Sequence, residues 1–165
     1  MTWFKQRDGA VNHVLYDSVR GYGNASNAIR PNTDGGESAF GDAVVTAKIN
    51  GFSVTGSNTG GINGSGEDIV CWAWKAGGSK GTFNKDGVSY ATAADAGLQT
   101  QSGSGGGISV SACSIGTKQG FSIIKYGGGG NGENGIPHGL GRVPKFYIVK
   151  NITSGSSYWT IYHGS

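Results

Sequence analysis

The chain has 165 residues, of which 33 are glycine, 3 are proline and 14% are charged, and its formal net charge is +3. The glycines have no three-residue period, which excludes collagen, and the many aromatic residues in apolar runs argue against disorder. The basic residues are few and scattered, so nucleic-acid binding is not expected. The class that remains is an all-β protein with many tight turns.

Short apolar runs bounded by glycine, asparagine, aspartate or serine predict strands along most of the chain. Alternating residues on both sides of Asn50-Gly51 predict a β-hairpin. Because no segment keeps a 3.6-residue apolar period, almost no helix is expected, and we predict antiparallel β-sandwich or jelly-roll-like units with glycine-rich turns. The other predicted strands, in chain order, are 3–7, 13–19, 68–76, 107–115, 120–126, 145–151 and 158–164.

The run IVCWAWK at 69–75 is apolar on both of its alternating faces. That pattern is typical of a strand buried on two sides, so Trp72 and Trp74 are predicted to be buried on one face of a central strand. Two cysteines make no disulfide framework, and Cys71 and Cys113 are expected to be free thiols.

Residues 77–120 are rich in glycine, serine, alanine and threonine. A flexible linker is one interpretation of such a composition. Phe83, Tyr90, Leu98 and Ile108 nevertheless recur at intervals that fit short strands, which favours an ordered insertion with mobile loops.

The two ends of the chain resemble each other. Lys5 precedes Tyr16 by eleven residues, and Lys150 precedes Tyr162 by twelve, and in both segments an amide follows the lysine and an aliphatic residue precedes the tyrosine. If the two segments are repeats, strands 3–7 and 146–151 occupy equivalent positions in two related sheets, and so do their partner strands, 13–18 and 158–163. The similarity also indicates either a longer array or equivalent strands that meet between chains.

Four stretches resemble the repeated β domains of tail-fibre and related virion proteins of marine tailed bacteriophages. They are WFKQRDGAVNHVLYDSVRGYGN (3–24), SGEDIVCWAWKAGG (65–78), YGGGGNGENGIPHGLGRVPKFYIVKN (126–151) and YWTIYHGS (158–165). The shared features are the HGLG turn, the proline, the strand ending in Val-Lys, and the Trp and Tyr-His pairs.

The resemblance implies domain boundaries and partners. Residues 1–76 would be the later part of one repeat, 77–120 an insertion or linker, and 121–165 the start of a second β unit. The protein would be a tail-fibre or host-adhesion component of the virion, assembled in the host cytoplasm. Its partners would be other copies of itself in a homotrimer, other virion proteins and a host-surface receptor.

The glycine-rich stretch 130–145 contains a literal G-x-G-x-x-G match at 130–135. A dinucleotide site requires a helix directly after those glycines, and the prolines that follow forbid one. We therefore predict turns, in which Gly139 and Gly141 adopt positive φ and Pro144 sets the entry to the next strand. His138, beside Leu140, is expected to hydrogen-bond backbone more readily than to bind a metal.

No catalytic residue, metal ligand or cofactor site is predicted, and no ligand-binding residue is assigned. The chain shows neither a cleavable export signal nor an apolar run that could span a bilayer. The acidic residues sit beside turn formers, so a polysaccharide depolymerase is the weakest alternative. A carbohydrate-binding β-sandwich is the stronger one, with Tyr22, Tyr90 and Tyr158 as candidate contacts. The acidic residues in question are Asp34, Glu37, Asp42, Glu67, Asp68, Asp86 and Glu133.

Overall fold

The computed structural model describes residues 1–56, 61–99 and 107–164. Over these residues the fold is all-β with several antiparallel sheets, as predicted, and the helix present is one 3₁₀ turn, Ala25–Asn27. The strands are β1 (Thr2–Gln6), β2 (Val14–Tyr16), β3 (Val44–Lys48), β4 (Gly51–Thr55), β5 (Ile69–Ala73), β6 (Phe83–Lys85), β7 (Val88–Tyr90), β8 (Ser109–Gly116), β9 (Phe121–Gly127), β10 (Phe146–Val149) and β11 (Thr160–His163).

The chain divides into two compact units, and their boundaries differ from those expected from sequence. Unit 1 is Met1–Ala73 with Lys145–Ser165, and unit 2 is Trp74–Pro144. The expected boundary between 77–120 and 121–165 falls inside the β8–β9 hairpin, whose strands pair along almost their whole length. The insertion therefore forms a unit together with β9, and the end of the chain returns to the first unit.

Unit 1 contains three small antiparallel sheets, with strand orders β2-β1-β5, β3-β4 and β10-β11. Alternation along β1 buries Thr2, Phe4 and Gln6 on one face, and the Phe4 ring packs edge-on against Phe52 with centroids 5.1 Å apart. The buried apolar residues of this core are Phe4, Val14, Tyr16, Ala28, Phe40, Ala43, Val45 and Ile62.

The hairpin predicted around Asn50-Gly51 is confirmed as β3 and β4. Lys48 pairs with Gly51, so the two turn residues are Ile49 and Asn50, one position earlier than the Asn-Gly pair itself. Gly51 is thus the first residue of β4. The local signal located the hairpin correctly and misplaced the turn by one residue.

The burial predicted for the two tryptophans is wrong for this chain. β5 is an edge strand of its sheet, with β1 as its named neighbour, and it ends before Trp74. Trp72 is 45% exposed and Trp74 is 39% exposed. Trp72 instead packs edge-on against Trp3, with ring centroids 6.1 Å apart. Residues that are apolar on both faces belong here to a strand that lies at the end of the strand order of its sheet.

Unit 2 is a four-stranded sheet of order β7-β6-β8-β9, in which β6 and β8 are parallel and the other pairs antiparallel. Asp86, with φ +53°, and Gly87 form the turn between β6 and β7. The stretch 77–120 thus contains regular strands where it is described, and residues 100–106 of it lie outside the described residues. The core of this unit contains Ala96, Leu98, Cys113, Ile115 and Leu140.

Both cysteines are free, as predicted. Cys113 is buried in the core of unit 2, whereas Cys71 is partly exposed on β5. Burial raises the pKa of both thiols, so both are poor thiolates at neutral pH.

We expect a thiol reagent to modify Cys71 much faster than Cys113 in the folded protein. Access differs between the two, while the pKa of each is raised by the same cause, so the difference in rate reports burial. Mass spectrometry of peptides after timed alkylation measures each rate. In urea the two rates should converge, and equal rates in the native protein would contradict the assigned burial of Cys113.

Candidate assembly surface

Two hairpins of unit 1, the first hairpin (β1–β2) and the second hairpin (β10–β11), pair in the same register. In the first hairpin Thr2 lies opposite Tyr16. In the second, Tyr147 lies opposite Tyr162. Thr2 precedes Lys5 by the same number of residues as Tyr147 precedes Lys150. The next two pairs also correspond, which confirms the pairing that the repeat hypothesis predicts.

The lysine of each hairpin closes the hairpin's own loop. Lys5 Nζ donates hydrogen bonds to the carbonyl oxygens of Gln6, Gly9 and Val11. Lys150 Nζ donates to the carbonyl oxygen of Ser157 in the second hairpin's loop. An ammonium group has three donors and no acceptor, so it suits a ring of carbonyl oxygens. These lysines therefore have a structural role that their spacing alone did not reveal.

The segment 32–37 connects the loops of the two hairpins. Its residue Asn32 accepts a hydrogen bond from the His13 backbone N–H of the first hairpin through Oδ1. On the other side, the Glu37 N–H donates to the Ile152 carbonyl at 2.8 Å, and Trp159 Nε1 donates to the Thr33 carbonyl at 3.1 Å. The second hairpin is thus anchored through its loop to segment 32–37 of the same unit.

The equivalent hairpins differ sharply in burial. All three residues of β2 are buried, and Phe4 on β1 is 2% exposed. All four residues of β11 are exposed, Phe146 is 56% exposed and Ile161 is 63% exposed. The rings of Tyr147 and Tyr162 stack across the strands at 4.8 Å, which orders the surface without burying it.

The two hairpins also differ in what lies beside their strands. In the first, β5 pairs with β1 along five residue pairs, and Leu15 of β2 exchanges both backbone hydrogen bonds with Ile29. In the second, among the described residues, β11 is the strand paired with β10. We name the side of β10 that faces away from β11 the outer edge. This edge and the apolar faces of the second hairpin form the candidate assembly surface.

One polar contact within the first hairpin has no counterpart in the second. Trp3 Nε1 donates to His13 Nδ1 at 2.9 Å, with the rings edge-on. Burial, and then the charge of Lys5, lower the pKa of His13, which keeps that nitrogen free to accept. In the second hairpin Ile148 occupies the position equivalent to Trp3, and Trp159 occupies the position equivalent to His13.

The HGLG turn lies in unit 2 and has the structure predicted for it. Gly139 and Gly141 have φ of +70° and +72°, and His138 Nδ1 accepts a hydrogen bond from the Leu140 N–H at 3.1 Å. Leu140 packs into the core of unit 2. Residues 128–144 form turns and extended chain up to Pro144, and β10 is the next regular element.

Three of the acidic residues singled out in the sequence accept hydrogen bonds, one within a local turn and two from residues distant in sequence. Asp86 accepts from both the N–H and the hydroxyl of Thr117, and these bonds lower its pKa. Glu67 accepts from the Gly64 N–H, and Glu37 pairs with Arg20. The described residues contain no group of three or more His, Cys, Asp or Glu placed to hold a metal ion, and no helix suited to crossing a membrane.

The three tyrosines proposed as carbohydrate contacts differ in their exposure to solvent. Tyr22 packs against the core of unit 1, and Tyr90 packs against the core of unit 2. Tyr158 is 84% exposed. A shallow groove lined by exposed aromatics is therefore not built from this set.

The comparison with known families identifies the chain. A family model described as a domain of unknown function, DUF7483, matches residues 1–111 and again residues 82–165. The chain belongs to the DUF7483 family. Two overlapping matches to one model are consistent with the repeated hairpins described above. No curated protein and no solved structure matches this DUF7483 chain.

Sequence reasoning missed one cluster in unit 1. Arg20 donates from Nε to Asp17, from one terminal nitrogen to Glu37 and the Asn27 carbonyl, and from the other to the Leu15 carbonyl. The side chains of Asp17 and Arg20 are almost fully buried. The Asp-x-x-Arg spacing at 17–20 was the available signal, whereas Glu37 joins the cluster only through the fold.

Proposed function

We propose that this DUF7483 chain is a structural, self-associating component of a bacteriophage particle and belongs to a tail fibre or host-adhesion appendage. The observation that carries the self-association is the exposed second hairpin. Unpaired apolar strand edges are sites of pairing with other chains, and soluble proteins normally protect them with charges, prolines or bulges. Within β10, whose sequence is FYIV and whose register is unshifted, no charge, proline or bulge interrupts the apolar edge, and Pro144, Lys145 and Lys150 flank the strand.

The setting in a phage particle is supported by the resemblance of four sequence stretches to tail-fibre-like virion proteins. Glycine-rich turns and the absence of disulfides among two free cysteines fit a particle that assembles in a reducing cytoplasm. Partners in this proposal are other copies of the chain, in a closed cyclic oligomer such as a trimer, and other virion proteins. No cofactor and no catalytic step is part of the proposal.

We expect the isolated chain to self-associate in a concentration-dependent way, with a buried surface of more than about 800 Å² per partner. Aromatic and aliphatic residues of the second hairpin should lie at its centre. Light scattering coupled to size-exclusion chromatography measures the mass over a range of concentrations. A double variant, Phe146→Ser with Ile161→Thr, should shift the chain towards monomer, since both side chains are exposed and contribute to no described core.

The matched control is Val143→Ser, which removes an exposed aliphatic side chain of unit 2 that is 87% accessible. It should leave the mass distribution unchanged. A wild-type chain that stays monomeric at every concentration would overturn the self-association. The setting is tested separately by immunogold electron microscopy of the assembled particles, where absence of label from appendages would refute the fibre assignment.

A further inference from the structure

The outer edge of β10 is present in every copy of the chain, so a second copy supplies a free strand for it. The Gly164 N–H donates to the Lys145 carbonyl at 2.7 Å, which places Lys145 among the residues that exchange backbone bonds with β11. Every second residue of an antiparallel strand does so, and the backbone groups of Phe146 and Ile148 therefore face the outer edge. Among the described residues, neither has a backbone partner on that side.

Two outer edges have few ways to pair antiparallel, and the residues that flank β10 select one register. With Phe146 opposite itself, Pro144 would lie opposite Ile148 and has no N–H to donate. With Ile148 opposite itself, Phe146 would lie opposite Lys150, which follows the end of β10 and whose ammonium group closes its own loop. With Phe146 opposite Ile148 in both directions, every outward backbone group of the strand has a partner.

The selected register also places Tyr147 of one copy directly opposite Tyr147 of the other. Within each hairpin the Tyr147 ring stacks on Tyr162, with centroids 4.8 Å apart and 16° between the ring planes. That spacing matches the roughly 4.7–4.9 Å between neighbouring strands of a sheet. The stack therefore continues from one copy into the other as a single row of tyrosines.

The charged residues that flank β10 do not oppose each other in this register. Lys145 lies opposite Val149 of the second copy, and Lys150 lies opposite Pro144. The nearest lysines of the two copies are Lys145 of one and Lys150 of the other. Because alternate residues project from opposite faces of a sheet, these two side chains lie on different faces. The flanking residues thus limit the length of the pairing and are compatible with it.

We propose that the outer edges of β10 in two copies pair antiparallel around a two-fold axis, with Phe146 of each copy opposite Ile148 of the other. This inference rests on the proposed assembly role and specifies its interface. The joined sheet has the strand order β11-β10-β10-β11, and the face opposite the tyrosines carries Phe146, Ile148 and Ile161 from both copies.

The length of the edge sets how strong this pairing is. An edge of four residues buries less than the roughly 800 Å² per partner of a standard interface. The enlarged apolar face therefore has to supply the remaining area, by packing against a second pair of copies. A dimer is itself a closed cyclic oligomer, and we expect assemblies with even numbers of copies.

Disulfide trapping in the whole chain tests the register. In a Cys71→Ser background, which removes the partly exposed native thiol, Tyr147→Cys places two thiols opposite each other. Their Cα atoms would be about 4.5 Å apart, within the range that a disulfide spans. We expect oxidised glutathione to convert this variant into a covalent dimer. Phe146→Cys is the matched control, because its two Cα atoms would be more than about 7 Å apart and should not be bridged.

A proline tests whether backbone bonds hold the pair. In the Tyr147→Cys background, Ile148→Pro removes an N–H that faces the second copy and spares the bonds to β11. The two-fold axis doubles the loss, so the cross-linked fraction should fall by about tenfold or more. Ile148→Ala keeps the N–H and should still cross-link. Undiminished cross-linking with proline would overturn the proposal, and so would cross-linking through Phe146→Cys in place of Tyr147→Cys.

Failure of this proposal and failure of the proposed function give different results. If Tyr147→Cys does not cross-link while the wild-type chain self-associates in light scattering, the assembly role stands and the β10 edge is not its basis. A mass of three copies would likewise overturn the two-fold pairing and leave the assembly role intact. A wild-type chain that is monomeric at every concentration refutes the assembly role itself.

Discussion

Replacing Arg20 with methionine is expected to destabilise unit 1 by about 3–5 kcal/mol, the usual cost of removing one partner from a buried ion pair. The guanidinium group bonds the buried Asp17 carboxylate, Glu37, and the carbonyl oxygens of Leu15 and Asn27. Methionine fills a similar volume and bonds none of them. The Asp17 carboxylate would then be left in a site where its side chain is 4% exposed.

Urea denaturation followed by tryptophan fluorescence measures this loss as a fall in the free energy of unfolding. Arg142→Met is the matched control, because Arg142 is exposed and the same side-chain change there should cost less than about 0.5 kcal/mol. Arg20→Lys should fall near Arg20→Met, since one ammonium group cannot reproduce the planar fork of donors. A loss below about 1 kcal/mol for Arg20→Met would show that water replaces the arginine, and would refute the cluster's structural role.

The strands of this fold were largely predictable because their signals are local. Alternation around Asn50-Gly51 identified the β3–β4 hairpin, and Asp86-Gly87 marked the turn of another. These signals need only a few neighbouring residues in the sequence. They specify where a strand starts and stops, and they say nothing about which strand lies beside it.

Neighbour relations depend on contacts between residues far apart in sequence, and there the sequence analysis was weaker. The run 69–75 reads as a central strand, yet β5 lies at an edge with Trp72 half exposed. The parallel pairing of β6 with β8 has no short-range signal either. The division of the chain at 73/74 and 144/145 follows from these pairings.

The candidate assembly surface also shows what could not be predicted from the sequence. The matching positions of Lys5 and Lys150 predicted two related hairpins, and the structure has them in one register. The sequence could not show that one is buried and the other exposed, because both contain the aromatic and aliphatic residues of a core strand. Burial is a property of what packs against a strand, and the residues that cover β1 and β2 have no counterpart over β10 among the described residues.

Alanine at Gly139 and alanine at Gly141 are expected to differ in cost, although the two positions have almost the same backbone conformation. Their φ angles are +70° and +72°, so each substitution places an L side chain in the left-handed region at about 1–2 kcal/mol. The Cβ of Ala at 141 meets nothing within 4 Å. At 139 it would lie 2.6 Å from Ile115 Cδ1 and 3.1 Å from Leu98 Cδ2.

Both of those contacts are with core side chains of unit 2, and Ile115 is completely buried, so neither can move aside into solvent. Overpacking adds about 1–3 kcal/mol, and Gly139→Ala should therefore unfold at a clearly lower urea concentration than Gly141→Ala. Each variant is the control for the other, because both have the same backbone strain, which cancels in the difference between their unfolding midpoints. Equal midpoints would mean that the core yields to a methyl group, and that positive φ alone explains why glycine occupies position 139.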